Sequence, residues 1–338
     1  MVKAVFAALA GVARHRLTQI AISLAVSGLL LWFLMQRTDL AEVGRQLSHV
    51  NLRWLLLGIL AYWIALLLRS WRWRILLAPV RPLGLGQVFY GLLVGYAANY
   101  VLPFRLGELL RADFLGRRYA ISRLSIIGTI VVERLFDVIV FIGFFFAGLT
   151  AVRRAHDSQI ARILPKVEYI AIGCVVLAVL LLVLVQVRHK PLPRPFHFLE
   201  DQLKSLAEGL HLITGLPELA LLAAATVVVW TADTLSIWFL ARALGTELEF
   251  QQMLLVMGMS CLSALIPLAP ANIGVQQAAL QVAFALLGMP TDAGFSLATL
   301  IQACFIVGST LIGGGLYLAA TIGSNTPTAV ERPSTRSR

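Results

Sequence analysis

The sequence has 338 residues, of which 59% are hydrophobic and only 13% are charged. Soluble domains carry roughly a quarter of charged residues, so this composition excludes a soluble catalytic domain and indicates an integral membrane protein. The net charge of +11 does not indicate a nucleic-acid partner, because the basic residues lie at the ends of apolar segments, where they orient helices and meet anionic headgroups.

Several apolar segments are long enough to cross a bilayer as a helix, which takes about 20 residues. The predicted spans are 17–36, 52–69, 124–150, 167–187, 217–241 and 294–321. The apolar stretch 2–12 has no small-residue cleavage site after it, so we expect no cleaved signal peptide. The chain is therefore predicted to be an all-α polytopic membrane protein.

Two further segments, 84–118 and 250–289, are too interrupted to cross the membrane as single helices. Their helix-breaking residues are Pro103, Gly107, Pro267, Pro270 and Gly274. Each limb is about half a bilayer long, and irregular backbone at membrane depth is tolerated only within protein or beside a wet cavity. Both segments are predicted to be re-entrant helical hairpins.

The order span, span, hairpin, span occurs twice along the chain. Because each half has an odd number of spans, the second half begins on the opposite face, which predicts an inverted repeat. Pairing Pro103 with Pro267 gives an offset of 164 residues, and the same offset relates Arg69 to Asp233.

The predicted halves are residues 1–150 and 151–322. Most of the basic residues between spans fall on the side of the N-terminus, which predicts that both termini are cytoplasmic. Residues 196–214 space their apolar side chains at helical intervals, so they are either a cytoplasmic amphipathic helix on the membrane surface or a connector between the halves. Residues 323–338 are predicted to be a disordered cytoplasmic tail.

The first hairpin carries a group of polar residues in NYVLPFRLGELLR, namely Asn99, Arg105, Glu108 and Arg111. A helix that begins at membrane depth presents free N–H groups and a positive dipole end. Arginine adds a planar fork that suits phosphate. Two interpretations follow: a phosphate or headgroup site, or a structural role in which Glu108 pairs with an arginine and holds the hairpin closed.

The third span contains the sequence VVERLFDVIVF. Glu133 and Asp137 are four residues apart and share a helical face, whereas Arg134 is expected to point elsewhere. Acids in a span are normally paired, and the candidate partners are Arg105 and Arg111. The alternative is that Glu133 is protonated and shuttles a proton.

In the second half, Asp233 is an isolated acid in the fifth span, which indicates either a functional residue or a group clamped by an arginine. In the second hairpin, Asn272 is expected to cap the returning limb, and Gln276 and Gln277 could hydrogen-bond a polar cargo. The stretch RSWRWR, which starts at Arg69, is interpreted mainly as an interfacial anchor.

No common catalytic or metal-binding motif is present. The sequence lacks GxSxG, HExxH, Walker A, CxxC and dinucleotide fingerprints, and its six histidines lie outside the spans. Cys174, Cys261 and Cys304 lie in apolar segments and are interpreted as small core residues. We therefore predict no metal and no cofactor.

The motifs of both hairpins and of the third span resemble those of the lysylphosphatidylglycerol synthase transmembrane, or flippase-domain, family, which includes the YbhN-like and AglD-like membrane proteins. They are NxxxPxRxGExxR, then ERxxD, then PxxPxxxG, and the resemblance covers about residues 15–320. It implies movement of a lipid between the leaflets of a bacterial inner membrane. By position it implies functional roles for Asn99, Pro103, Arg105, Gly107, Glu108, Arg111, Glu133, Arg134 and Asp137.

Departures from the family pattern affect the expected cargo. Where the second hairpin of the family commonly reads PGGxGxxE, this chain has Ala271 and Asn272 for the glycines and Gln277 for the acid. The family's synthase members carry a soluble aminoacyl-transfer domain after this region, and this sequence ends at Arg338, so we expect no aminoacylation. Some relatives are associated with hopanoid biosynthesis, so a weakly polar lipid is an alternative cargo.

The leading hypothesis is a lipid translocase whose hairpin tips meet near the midplane and form a polar cavity. Its partners are membrane lipids. The rivals are a membrane-embedded lipid-modifying enzyme, with Glu108, Glu133 or Asp137 as its base, and a scaffold that binds a lipid-synthesis enzyme. The lipid, the energy source and the oligomeric state stay open at this level.

Overall fold

The structure, a computed structural model, describes residues 25, 27–101, 106–155, 216–264, 270–315 and 318. The predicted span 167–187, the segment 196–214, the tail 323–338 and residues 17–24 and 26 of the span 17–36 lie outside the described residues. The described residues that are ordered into elements are helical. They form α1 (Leu40–Ser48), α2 (Leu52–Leu77), α3 (Leu85–Val101), α4 (Gly107–Tyr119), α5 (Arg123–Ala155), α6 (Leu216–Ala243), α7 (Phe250–Ala264), α8 (Val275–Leu286) and α9 (Thr291–Ile306).

Three of these helical stretches are long and apolar enough to cross a membrane, namely Leu52–Leu77, Pro217–Ala243 and Thr291–Gly315. The last of them runs from α9 through a π-helical turn at Val307–Leu311. Helix α5 is also long enough to cross a membrane, with 33 residues or about 50 Å of helix. It carries charged residues in its first half. The chain is an all-α polytopic membrane protein.

Helix α2 is longer than predicted. It continues to Leu77 rather than ending at 69, because the first residue that cannot continue a helix is Pro79. Arg69 and Arg72 therefore lie inside a membrane helix and are buried, rather than at or beyond the end of the span as predicted.

The two predicted hairpins are pairs of short helices. Helices α3 and α4 have 17 and 13 residues, or roughly 26 and 20 Å, which is less than the roughly 30 Å of a hydrocarbon core. Helices α7 and α8 are shorter still, with 15 and 12 residues. Helix α3 also packs against the 3-10 turn Pro270–Asn272 that precedes α8, so the first hairpin meets the tip of the second. Their depth in a membrane stays a prediction.

The offset of 164 residues relates the helices of one half to those of the other: α2 to α6, α3 to α7, α4 to α8 and α5 to α9 begin within a few residues of equivalent positions. Among the described helices, α2 and α6 pack against each other most extensively. The N–H of Asn51 donates to Ala243 O, and Arg72 Nη1 donates to Thr226 Oγ1. These contacts run in opposite directions along the two helices, as an inverted repeat requires.

The last helix of each half packs on the first hairpin limb of the other half. Helix α5 contacts α7 where Gly148 faces the backbone of Leu255, and an added Cβ would lie only 2.2 Å from Leu255 N. The helical stretch that continues α9 to Gly315 contacts α3 in the same manner, since a Cβ on Gly313 would lie 2.4 Å from Leu93 O. The two halves therefore share one helical bundle.

Candidate functional site

A network of buried ion pairs lies where α2, α5 and α6 meet. Its centre is Arg72, which donates from Nη2 to Glu133 Oε1 at 2.9 Å and from Nη1 to Asp137 Oδ1 at 2.6 Å. The three side chains are each about 1% exposed. Trp230 Nε1 also donates to Asp137 Oδ1, at 2.8 Å, so α6 of the second half closes the network.

The first hairpin contributes Arg111 to this network. Its Nη2 donates to Glu133 Oε2 at 3.1 Å, and its guanidinium lies 3.9 Å from the ring centroid of Trp73. The expected pairing of Glu133 with a hairpin arginine is present. Because the Arg111 side chain is only 2% exposed, it offers no open face to a headgroup in this conformation.

Arg134 takes part in the network, and the expectation that it points elsewhere is wrong. Its Nη1 donates to Asp137 Oδ2 at 3.2 Å, and its Nε lies 3.2 Å from Glu108 Oε1 on α4. The prediction considered only the direction in which the Cα–Cβ bond leaves the helix. A flexible arginine side chain can still reach a residue three positions further along the same helix.

A second buried ion pair joins Arg69 on α2 to Asp233 on α6. These two residues are separated by 164 positions, so they occupy equivalent places in the two halves. The Arg69 guanidinium also lies 4.6 Å from the ring centroid of Trp230. The arginine clamp that was one of two interpretations of Asp233 is present.

The interpretation of RSWRWR as an anchor is wrong for two of its arginines. Arg69 and Arg72 are three residues apart and share the buried face of α2 with Trp73, whereas Trp71 and Arg74 face outward. Sequence reasoning missed Arg72 altogether. The available signal was its helical spacing from Arg69, which the offset of 164 residues already paired with Asp233.

The described network contains equal numbers of arginines and acids. The arginines are Arg69, Arg72, Arg111 and Arg134, and the acids are Glu108, Glu133, Asp137 and Asp233. Charges removed from water are tolerated when they are paired and hydrogen-bonded, and are costly otherwise. The pairing explains how this many ionised groups can lie among membrane helices.

The tip of the first hairpin is closed by a side chain. Asn99 Oδ1 accepts from the N–H of Gly107 at 2.8 Å, and a Cβ at Gly107 would lie 2.1 Å from Gly95 O. Only glycine permits this approach between α3 and α4. Pro103 and Arg105, which we predict to belong to the same tip, lie outside the described residues, as does Pro267.

The second hairpin is closed in an equivalent way. Asn272 does not cap the returning limb as expected; Gly274, with φ +86°, is the N-cap of α8, and its N–H donates to Gln277 Oε1. Asn272 instead donates from Nδ2 to Ser263 Oγ at 2.7 Å. Ser263 lies 164 residues after Asn99, so the same position ties the two limbs in both hairpins.

The glutamines of α8 have partners within the protein. Gln276 Nε2 donates to Ser260 Oγ at 3.1 Å, and Gln277 Nε2 donates to Gln302 Oε1 at 2.7 Å. Gln302, which the sequence did not single out, donates in turn to the carbonyls of Ala271 and Asn272. Helices α8 and α9 therefore carry neutral amides at their contact, whereas the equivalent helices α4 and α5 are joined by ion pairs.

A groove of about 240 Å³ lies between α4 and α5. Its apolar walls are formed by Leu109, Ile127, Ile130, Val131, Leu135 and Val138. Its polar residues are Glu108 and Arg134, whose side chains are 23% and 29% exposed. Here the charge network reaches the surface of the helical bundle.

The family model described as the lysylphosphatidylglycerol synthase TM region matches residues 20–313 of this chain. The chain belongs to this family. A UPF0104 membrane protein from Pyrococcus horikoshii is 24% identical over 320 residues, which cover 86% of this chain and 92% of the relative. No solved structure matches the chain.

In this member of the family, the predicted site residues that the structure describes fall into three places. Enclosed in the network are Arg111, Glu133, Asp137 and Asp233; at the hairpin tips are Asn99, Asn272, Gln276 and Gln277; in the groove are Glu108 and Arg134. Asp137 connects the enclosed network to the groove, because it forms ion pairs with both Arg72 and Arg134.

Proposed function

We propose that the protein is a lipid translocase of a bacterial inner membrane, which moves a phospholipid or another polar-headed lipid between the leaflets. The observation that supports this most is the course of the charge network. It runs from the groove at Glu108 and Arg134 through Asp137 and Arg72 to Thr226 on α6 of the second half. Ionisable groups inside membrane helices commonly mark a pathway for polar cargo.

The arrangement of the halves supports the same function. Two equivalent helices that pack antiparallel, each followed by a broken helical hairpin, form the architecture of many secondary transporters. In such proteins the halves move relative to each other around a site near the midplane. A headgroup would pass along the hairpin tips, where Asn99 and Asn272 lie, while its hydrocarbon chains remain in the bilayer.

The test is lipid movement by the purified protein. Proteoliposomes that contain fluorescent phosphatidylglycerol in both leaflets are treated with dithionite, which bleaches only the outer leaflet. Reconstituted protein should accelerate the loss of the protected fluorescence relative to protein-free vesicles. Vesicles that contain an equal amount of heat-unfolded protein are the matched control. A rate equal to that of the controls would refute the proposal for this lipid class, and a hopanoid probe then tests the weakly polar alternative.

A second candidate is a lipid-modifying enzyme that uses Glu108 as a base. The observation in its favour is that Glu108 is partly exposed in the groove and accepts no hydrogen bond from the described residues. Glu133 and Asp137 suit this role less, because arginines occupy both carboxylates. Mass spectrometry of lipids incubated with the protein would reveal a covalent change, whereas translocation, or a scaffold for a synthesis enzyme, leaves lipid masses unaltered.

A further inference from the structure

The groove between α4 and α5 belongs to the first half alone. Every residue that lines it comes from these two helices, and Leu109 and Val131 of its walls are exposed on the surface of the bundle. In a membrane this surface faces lipid. The groove is thus a lateral opening at the end of the charge network and not part of the interface between the halves.

The Nε and Nη2 edge of Arg134 lies beside Glu108 at the groove, and its Nε atom is itself buried. Its Nη1 donates to Asp137, but its Nε has no acceptor with hydrogen-bond geometry among the described residues, although Glu108 lies 3.2 Å away. Its Nη2 lies 3.9 Å from Glu133, beyond hydrogen-bond distance. The Nε and Nη2 groups form one side of the guanidinium fork, and that side binds carboxylate or phosphate oxygens in pairs.

The other arginines of the network differ from Arg134 in exposure. Arg72 and Arg111 also have an Nε with no acceptor in the part of the chain that the structure describes, but their side chains are only 1% and 2% exposed. Arg134 is 29% exposed. Among the described arginines of the network, it is therefore the one that a lipid in the groove could reach once Glu108 moves aside.

Glu108 balances the charge of Arg134 without completing its hydrogen bonds. The carboxylate accepts no hydrogen bond from the described part of the chain, although it lies beside apolar walls where an unsatisfied charge is costly. A group that offered two oxygens to the open edge of Arg134 would make better hydrogen bonds. It would also release Glu108 from Arg134.

We infer that the groove is a lateral docking site for a phospholipid, whose phosphate displaces Glu108 from the Nε and Nη2 edge of Arg134. One acyl chain lies along the apolar wall. The volume is smaller than the roughly 300–1,000 Å³ of pockets that enclose a whole drug-sized ligand, so the groove holds a segment of one chain rather than the entire lipid. A role of this site in transport rests on the proposed function, but binding itself does not.

The experiment measures labelling of the groove in maltoside micelles, which contain no phosphate. The probes are phosphatidylglycerol and diacylglycerol that carry the same diazirine-bearing acyl chain, and mass spectrometry locates the label. Phosphatidylglycerol should label the groove walls, including Leu109 and Val131. Arg134→Gln should reduce this labelling about tenfold or more, because it removes hydrogen bonds to a charged group.

Glu108→Gln provides a readout that misfolding cannot mimic. It removes the competing carboxylate and should raise phosphatidylglycerol labelling severalfold, while diacylglycerol labelling stays low in both proteins. Arg117→Gln is the matched arginine control, since Arg117 lies on α4 but is 72% exposed and pairs with Asp113. It should leave the labelling unchanged.

Several outcomes would overturn the inference. Equal labelling by both probes, or labelling that ignores Arg134→Gln and Glu108→Gln, would show that phosphate is not recognised. Displacement of the probe by an equal concentration of inorganic phosphate would show that the acyl chain contributes nothing. Translocation without labelling of the groove contradicts the docking site alone, whereas labelling without translocation contradicts the proposed function alone.

Discussion

Replacing Glu133 by glutamine removes one negative charge from the most enclosed part of the network. The carboxylate bonds Arg72 at 2.9 Å and Arg111 at 3.1 Å, and it is about 1% exposed. After the substitution Arg72 keeps Asp137 as a partner. Arg111 loses the one acid that pairs with it in the described structure, and its guanidinium remains buried against Trp73.

The expected cost follows from these contacts. Removing one partner of a buried ion pair typically destabilises a protein by about 3–5 kcal/mol. The glutamine carbonyl retains one hydrogen bond to an arginine, which recovers about 1–2 kcal/mol. We therefore expect Glu133→Gln to lower the free energy of unfolding by about 2–3 kcal/mol, which corresponds to a decrease in Tm of roughly 3–4 °C.

Thermal unfolding of the purified protein in detergent measures this effect. Glu42→Gln is the matched control, because Glu42 forms an exposed ion pair with Arg45 outside the network, and its loss should not change Tm measurably. In a double variant, Arg111→Met removes the stranded cation as well. The double variant should be more stable than the sum of the two single effects predicts.

Two results would refute the reasoning. An unchanged Tm for Glu133→Gln would show that its charge contributes nothing to the fold, as a protonated, proton-shuttling Glu133 would require. Strict additivity in the double variant would show that Glu133 and Arg111 are not coupled. Altered pH dependence of transport with normal stability would favour the proton-shuttle interpretation.

Other consequences can be tested separately. Arg69→Asp and Asp233→Arg should each place two like charges together between α2 and α6 and abolish folded protein. The combined swap should restore a folded peak in size-exclusion profiles. No recovery would mean that the orientation of the pair matters more than its charge. Gly313→Ala should lower Tm because its Cβ would lie 2.4 Å from Leu93 O, whereas the neighbouring Gly314→Ala meets nothing within 4 Å and should be tolerated. Single cysteines at Arg81 and Arg118 should react with an impermeant reagent from the same, cytoplasmic side; labelling from opposite sides would exclude a re-entrant first hairpin.

The helix pattern was predictable because it depends on local properties. Apolar length identified α2, α5, α6 and α9, and the proline and glycine breaks identified both hairpins, since helix propensity and hydrophobicity are read residue by residue. The end of α2 was misplaced because arginines were taken to mark the membrane boundary. Arginines end a span only if no acid on another helix is available to pair with them.

The partners within the network were less predictable, because pairing depends on which helix faces which. Arg111 with Glu133 was predictable, since the two residues lie on consecutive helices. Arg72 with Asp137 joins residues that are 65 positions apart, and no local pattern indicates it. The internal repeat supplied the only long-range information, and it correctly related Arg69 to Asp233.

The pair formed by Arg69 and Asp233 also bears on how two similar halves came to depend on each other. A residue that meets its own equivalent lies beside the symmetry axis, where two identical copies would bring together two arginines or two aspartates. Like charges in that buried place would repel and separate the copies. Divergence to opposite charges therefore makes a pair of unlike halves stable and a pair of like halves unstable. The charges beside the axis thus favour association of two different halves. They oppose a dimer in which the first half of one chain pairs with the first half of another.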